Sequence, residues 1–225
     1  MKRIILPLDN KTCEESLKIM ELTKDLVWGY KLRRQILEEG LPFVLHAKEY
    51  GKVMLDFKLF DIPSAMRESI DLHSYYQADI TTVHCTAMYK PEKNMKNEII
   101  AGVTILTSMD DNDFTRSYNF QKSLISVKVF DFTDFAVENN YGYIVCSPKD
   151  LNKIRHFNIL KICPGIRPLW YQEDDDQKRT MTPYQAVENG ADLLVIGRPL
   201  LNHPDIIEAI EMTNEEIANY ENLNF

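Results

Sequence analysis

Short β-branched or apolar runs alternate along this chain with longer stretches in which apolar residues recur at helical spacing. The runs predict strands over Arg3–Leu8, Leu26–Lys31, Val53–Phe57, Ile80–Val83, Ile99–Leu106, Tyr143–Cys146, Ile159–Cys163 and Leu193–Ile196. The longer stretches predict helices over Thr12–Lys24, Arg33–Tyr50, Ser64–Tyr76, Ser117–Asn139, Pro183–Asn189 and Pro204–Asn219. Thr12 followed by Glu15 is a capping-box pattern at the first of these. No Gly/Ser/Pro-rich linker or repeated block interrupts the alternation, so a parallel sheet within one α/β domain is expected.

Eight strand-then-helix units in 225 residues average about 28 residues each, which suits a small (β/α)8 TIM barrel over residues 1–225. An open, doubly wound sheet is the structural alternative. The first strand lacks the Gly-x-Gly-x-x-Gly turn of a dinucleotide-binding sheet, which favours the barrel. The fourth connection, Thr86–Glu98, is short and polar, with room for a single helical turn. The segment Leu169–Thr182 is long and acidic, and reads as a loop on the ligand face.

Charge narrows the choice of partner. The chain carries 26 Lys+Arg against 34 Asp+Glu, a formal net charge of −8. No global basic field is available to hold a nucleic acid or an anionic membrane surface. No apolar stretch approaches the roughly 18 residues of a membrane span. The opening Met1–Asp9 segment has neither the length nor the cleavage site of a signal peptide, so a cytoplasmic protein is expected. Cys13, Cys85, Cys146 and Cys163 lie far apart without a Cys-x-x-Cys pair, as buried reduced thiols do.

In a barrel the reacting groups stand at the C-terminal ends of strands. Asp9 ends the first strand, Lys31 the second, and Asp56 and Lys58 the third, with Asp61 just beyond. Period-two alternation sets Asp56 and Lys58 on one face of the third strand, and Leu55, Phe57 and Leu59 on the other. With Phe57 toward the helices, both charges point into the barrel mouth. A lone charge there is costly, so opposite charges must pair, and a lysine held between carboxylates stays protonated. The plain reading is a structural ion pair, with Asp61 as N-cap of the helix that begins near Pro63. Convergence of Lys31 and Asp9 from neighbouring strands favours a proton-transfer site instead.

Two further turns, Cys163-Pro164-Gly165-Ile166-Arg167-Pro168 and Gly197-Arg198-Pro199, follow the seventh and eighth strands. Barrels often bind phosphate with these two loops, and Arg198 adds a forked donor. The residues alone therefore imply a phosphorylated small substrate and a buried lysine proton donor. An isomerase, an aldolase-like enzyme and a decarboxylase all remain open.

The ordered set Leu8-Asp9, Lys31, Asp56-Phe57-Lys58-Leu59-Phe60-Asp61-Ile62-Pro63, His84, Val103–Ser108, Pro164–Arg167, Asp176–Arg179, Thr182-Pro183, Gly190–Asp192 and Val195–Arg198 runs nearly end to end. In order and spacing it resembles the orotidine 5′-phosphate decarboxylase family. The resemblance implies conversion of orotidine 5′-phosphate to UMP and carbon dioxide, the last step of de novo pyrimidine nucleotide synthesis. It implies no cofactor and no metal, and a homodimeric barrel with active sites shared between subunits. Lys31, Asp56, Lys58 and Asp61 then form the family's alternating charge array, Asp61 reaching in from the other subunit. Lys58 delivers the proton to C6, and Asp56 holds Lys58 charged and aimed. Asp9 and Lys31 take the ribose hydroxyls and Thr107 the pyrimidine edge. Arg167, Gln177, Gly197 and Arg198 take the phosphate side, Gln177 from a loop that closes over the nucleotide, and Pro164 completes the substrate-binding set.

The chain departs from the family pattern at Ala65, where a phosphate-binding threonine is usual, leaving Ser64 as the adjacent hydroxyl. Glu173–Asp176 also places four carboxylates next to Gln177. Two alternatives stand beside this reading. One is the related sugar-phosphate branch, 3-keto-gulonate-6-phosphate decarboxylase and hexulose-phosphate synthase, which uses magnesium. The other is a non-catalytic nucleotide-binding barrel, which has no need of a proton donor between carboxylates.

Overall fold

The computed structural model of the chain describes residues 2–92, 97–109, 111–118, 125–172 and 179–223. Alternation within each strand decides the architecture. Ile5, Met54, Ile80, Val103, Val145, Ile162 and Leu193 make one apolar cluster, while their neighbours Ile4, Leu6, Val53, Leu55, Ile144, Cys163 and Leu194 belong to another. A strand buried on both faces needs cover on both, and a parallel barrel supplies side chains inside and helices outside.

The strands are β1 (Ile4–Pro7), β2 (Gly29–Leu32), β3 (Lys52–Leu59), β4 (Ile80–His84), β5 (Ile100–Val103), β6 (Tyr143–Val145), β7 (Leu160–Cys163) and β8 (Leu193–Val195). Each pairs in parallel with the next, and β8 returns to β1 through Ile4↔Leu194 and Ile5↔Val195, so the barrel closes. All eight overlap the predicted runs, though β2 starts at Gly29 rather than Leu26 and β5 ends at Val103 rather than Leu106, and the open-sheet alternative is excluded.

Helix α1 (Cys13–Thr23) starts at the predicted capping box: Thr12 Oγ1 accepts from Glu15 N–H at 3.2 Å, and the Glu15 carboxylate accepts from Thr12 N–H at 2.8 Å. The predicted helix Arg33–Tyr50 is two helices, α2 (Arg34–Glu39) and α3 (Phe43–Lys48). Between them Gly40 takes φ +78° and Pro42 follows without an N–H, so the helical ladder cannot continue. Helix α4 (Pro63–Tyr75) follows β3. Of the predicted Ser117–Asn139 helix, the described residues form the end of α5 (Asp111–Tyr118) and α6 (Ile125–Glu138), and 119–124 lie outside the described residues. Helices α7 (Leu151–Ile154), α8 (Pro183–Glu188), α9 (Arg198–Leu201) and α10 (Ile206–Leu223) complete the outer layer. The last begins at Ile206 rather than Pro204 because Asp205 Oδ1 accepts the Ile207 and Glu208 N–H groups. In the fourth connection the described residues form only short 3₁₀ turns, Cys85–Ala87 and Asn97–Ile99.

All four cysteines are buried and unbridged, with Cys146 Sγ and Cys163 Sγ 3.9 Å apart. Among the described residues no helix is long and apolar enough to cross a membrane.

Closure brings neighbouring backbones close at Gly29, where an added Cβ would lie 2.3 Å from Lys52 O on β3. Gly29→Ala must part the β2–β3 ladder just below Lys31. We expect a loss of more than about 2 kcal/mol in urea-monitored unfolding free energy; a loss under about 0.5 kcal/mol would refute the close approach.

Candidate active site

Strand β3 carries its odd-numbered residues Val53, Leu55, Phe57 and Leu59 into the cluster beneath the helices. Asp56 and Lys58 therefore face the barrel interior, as alternation predicts. A regular strand does not describe the end of β3, however. Lys58 has φ +49°, and the pairing with β4 jumps from Leu55↔Thr81 to Leu59↔Val83. Four residues of β3 span two of β4, and the irregularity turns the Lys58 side chain back along its own strand. Such a conformation costs on the order of 1–3 kcal/mol in a non-glycine residue. Here Thr82 Oγ1 accepts the Lys58 N–H at 2.8 Å and offsets part of that cost.

The result is a continuous chain of alternating charge. Lys58 Nζ donates to both Asp56 oxygens at 2.9 Å. Lys31 Nζ lies 2.9 Å from Asp56 Oδ2 and also donates to Asp9 Oδ2. Thr82 Oγ1 donates to Asp56 Oδ1 at 3.1 Å. Asp56 is 7% exposed and Lys31 8% exposed, so each depends on its neighbours rather than on water for solvation. Burial pushes the Asp56 carboxyl up, but the Lys31 and Lys58 ammoniums outweigh it and hold the group at about 2. Burial pushes the Lys31 ammonium down, but Asp56 and Asp9 outweigh it and leave the group above the ordinary lysine value. Asp56 and Lys31 are therefore both charged at neutral pH.

Two chambers open from this array. The first, about 320 Å³, has Lys31, Asp56 and Lys58 on its polar side and Met54, Val103, Ile105, Leu106, Val145 and Val195 as apolar walls, with Thr107 and Ser108 at its edge. The second, about 300 Å³, is lined by Asp9, Asn10, Lys11, Gly165, Arg167, Gly197 and Arg198 among others. Lys31, Pro164 and Val195 line both, so the chambers adjoin.

The second chamber is cationic, with Lys11, Lys31, Arg167 and Arg198 against Asp9. Its turn at Gly165 has φ +78°, a value suited to glycine, and is clamped by Met181 N–H to Gly165 O at 3.3 Å and Arg167 N–H to Met181 O at 2.9 Å. The Arg167 guanidinium lies 5.8 Å from the Tyr171 ring centroid. Gly197 packs where a Cβ would meet Pro7 Cγ at 2.9 Å, which lets the loop before α9 close against β1. Asp9 Oδ1 is buried with no hydrogen-bond partner.

Of the residues that the sequence singles out, Asp9, Lys31, Asp56, Lys58, Thr107, Pro164, Arg167, Gly197 and Arg198 line these two chambers. Asp61 and Ser64 line neither. Asp61 is exposed, and its Oδ1 accepts the Ile62 N–H at 2.7 Å. The N-cap of α4 is Ile62, without a side-chain cap, which corrects the reading of Asp61 as that cap. Ser64 is exposed in the first turn of α4, on an outer concavity with Arg67 and Tyr75. Gln177 and the Glu173–Asp176 run lie outside the described residues. Among the described residues no three His, Cys, Asp or Glu side chains gather as a metal site requires.

Thr82 was not among the sequence candidates, although alternation in Ile80-Thr81-Thr82-Val83-His84 sets Thr82 and His84 on the inward face of Ile80. Burial, with the Lys58 charge beside it, pushes the His84 imidazole below its usual value.

Residues 2–213 match the family described as orotidine 5′-phosphate decarboxylase / HUMPS. The orotidine 5′-phosphate decarboxylase of Gloeothece citriformis is 31% identical over 96% of this chain and 97% of its own. That of Lawsonia intracellularis is 32% identical over 94% and 97%. The crystal structure of orotidine 5′-phosphate decarboxylase from Lactobacillus acidophilus, 22% identical, superposes with a TM-score of 0.76 over 96% of this chain and 99% of its own, a likeness of fold.

The folded-state Asp56 carboxyl titrates at about 2, below the roughly 3.9 of an unfolded aspartate. Its contribution to stability is therefore complete above about pH 4 and is lost as pH falls toward about 2, a change of about 2 kcal/mol. The gap in unfolding free energy between wild type and Asp56→Asn should narrow over that window. A gap unchanged at pH 2 would contradict the pairing.

Proposed function

The chain belongs to the orotidine 5′-phosphate decarboxylase / HUMPS family, and from that premise we propose that it decarboxylates orotidine 5′-phosphate to UMP, with Lys58 as the proton donor. It is a carboxy-lyase. The observation that carries the reading is the Asp9–Lys31–Asp56–Lys58 array between an apolar chamber and an arginine-bearing one.

Each part answers a demand of the reaction. The departing carbon dioxide leaves an electron pair on a ring carbon, and this site meets it with a cation already in place. Lys58 sits at the chamber wall, held by both oxygens of Asp56, so no solvent reorganisation is needed as charge develops. Lys58 then gives its proton to C6, and its bond to Asp56 keeps the ammonium charged beforehand and aimed. No cofactor acts as electron sink in this scheme. Apolar walls around the ring strengthen the electrostatics by keeping water out. Thr107, at the edge of the same chamber, suits the polar edge of a pyrimidine.

The nucleotide's other groups match the second chamber. Arg167 and Arg198 offer forked donors to a phosphate, with Pro164 and Gly197 shaping the walls between. The buried, unpartnered Asp9 Oδ1 requires a donor, and a ribose hydroxyl supplies one. Lys31 reaches from Asp56 to Asp9 and thereby ties the ring end to the sugar end. Binding energy taken up at the phosphate thus acts on the reacting carbon through a fixed frame.

The site is completed by a second copy of the chain. Asp61 and Ser64 stand on an outer face where Phe60, Ile62 and Tyr75 are 66%, 64% and 77% exposed. Exposed apolar side chains next to Asp61 and Ser64, Phe60 and Ile62 above all, suit a covered face. A homodimer formed on this face carries Asp61 toward the partner's Lys58 and Ser64 toward its phosphate chamber, in place of the hydroxyl missing at Ala65. The enzyme works in the cytoplasm, as the last step in making UMP.

The assay is the loss of orotate absorbance on adding purified protein to orotidine 5′-phosphate with EDTA present, which separates this activity from magnesium-dependent sugar-phosphate chemistry. Wild type should turn over unimpaired. Lys58→Ala should lower kcat by about a thousandfold or more while UMP still binds; substantial residual turnover removes Lys58 from the donor role. Arg198→Ala should lower kcat/KM about 10- to 100-fold on the nucleotide and much less on orotidine. Equal losses on the two substrates refute the phosphate contact.

A further inference from the structure

Gln35 lies on α2 and lines neither chamber, yet it is completely buried. Its Nε2 lies 2.8 Å from Leu8 O, 2.8 Å from Lys11 O and 2.8 Å from Ser16 Oγ. Two hydrogens are thus shared among three acceptors, while Oε1 has no partner. The opposite orientation of the amide would press Oε1 against two carbonyl oxygens, so the nitrogen must face the loop.

The two carbonyls bracket Asp9 and Asn10, the residues that carry the β1 loop along the second chamber. The β2–α2 unit grips this loop at two further points. Leu8 N–H donates to Lys31 O at 3.0 Å, and Lys31 Nζ donates to Asp9 Oδ2. Lys31 holds one oxygen of Asp9, and the other, Oδ1, is buried and unpartnered. Where Oδ1 points is set by the backbone on either side of Asp9, and Gln35 is the side chain that binds that backbone at both ends. An apolar residue would fill the same space between α1 and α2 without the cost of burying an amide.

We propose that Gln35 is a positioning residue for nucleotide recognition: it fixes the Leu8–Lys11 loop so that Asp9 Oδ1 receives a sugar hydroxyl. The proposal rests on the nucleotide reading above. It assigns Gln35 no contact with substrate, and it makes the sugar rather than the phosphate or ring the group that senses its loss. Lys11 rides on the same loop, so phosphate affinity also shifts when the loop loosens. The sugar-specific part is isolated by comparing ligands that share a phosphate.

Gln35→Met keeps length and bulk but removes both donors, and Gln35→Asn, one methylene short, serves as the second variant should Met prevent folding. Calorimetry measures binding of UMP and of 2′,3′-dideoxyuridine monophosphate, alongside turnover of orotidine 5′-phosphate. In the variants UMP affinity should fall about tenfold further than dideoxy affinity, and KM should rise more than kcat falls. In an Asp9→Asn background Gln35→Met should cost UMP no more than it costs the dideoxy ligand. An unchanged UMP-to-dideoxy ratio in a folded, active variant overturns the inference and leaves the decarboxylase reading intact. Absence of UMP binding and turnover in wild type overturns both.

Discussion

One buried carboxylate organises this barrel mouth. Asp56 is too enclosed to be solvated by water, so it exists as an anion only because two ammonium groups and a hydroxyl meet it. The dependence runs both ways. Lys31 is equally enclosed and remains charged because Asp56 and Asp9 face it. Remove Asp56 and Lys58 loses the carboxylate it binds while Lys31 is left with Asp9 alone, so buried charge loses its compensation, which is the costly case. Four side chains from β2, β3 and the loop after β1 therefore behave as a unit, and these strands cannot shift register without breaking it.

That constraint accounts for the local irregularity at the end of β3. Regular alternation sets Lys58 on the same face as Asp56, but the pairing with β4 slips here and the Lys58 backbone turns left-handed. In this conformation the Lys58 ammonium binds the carboxylate two residues earlier, and Thr82 on β4 receives the backbone N–H that the bulge frees. A strained residue at the centre of the candidate site, held by a hydrogen bond from the next strand, is a form of preorganisation. It leaves a cation in position before any ligand arrives. Beside it, the shared walls Lys31, Pro164 and Val195 couple an apolar-walled chamber to a cationic one.

Much of this was legible in the sequence. Strand positions followed from apolar runs, the α1 start from Thr12 and Glu15, and the inward direction of Asp56 and Lys58 from their even spacing against Leu55 and Phe57. Longer helices were less legible. Gly40 and Pro42 break the second predicted helix, although apolar periodicity carries across the break. The contributions of Thr82 and Gln35 were not foreseen, because their partners lie 26 and 27 residues away in the chain. Asp61 and Ser64 carry motif positions but face outward, and a single chain gives them no chamber to enter.

The sequence by itself determined the alternation of elements, the two faces of each strand and the charged residues at strand ends, since these follow from steric period and solvent preference within a few residues. Only the tertiary structure decided that the sheet closes, that β3 slips against β4 at Lys58, and that Asp9 keeps one oxygen buried without a partner. Those outcomes depend on which distant backbones come within hydrogen-bonding reach. Local periodicity is blind to that, because a strand's alternation is the same whichever neighbour it pairs with and in whatever register.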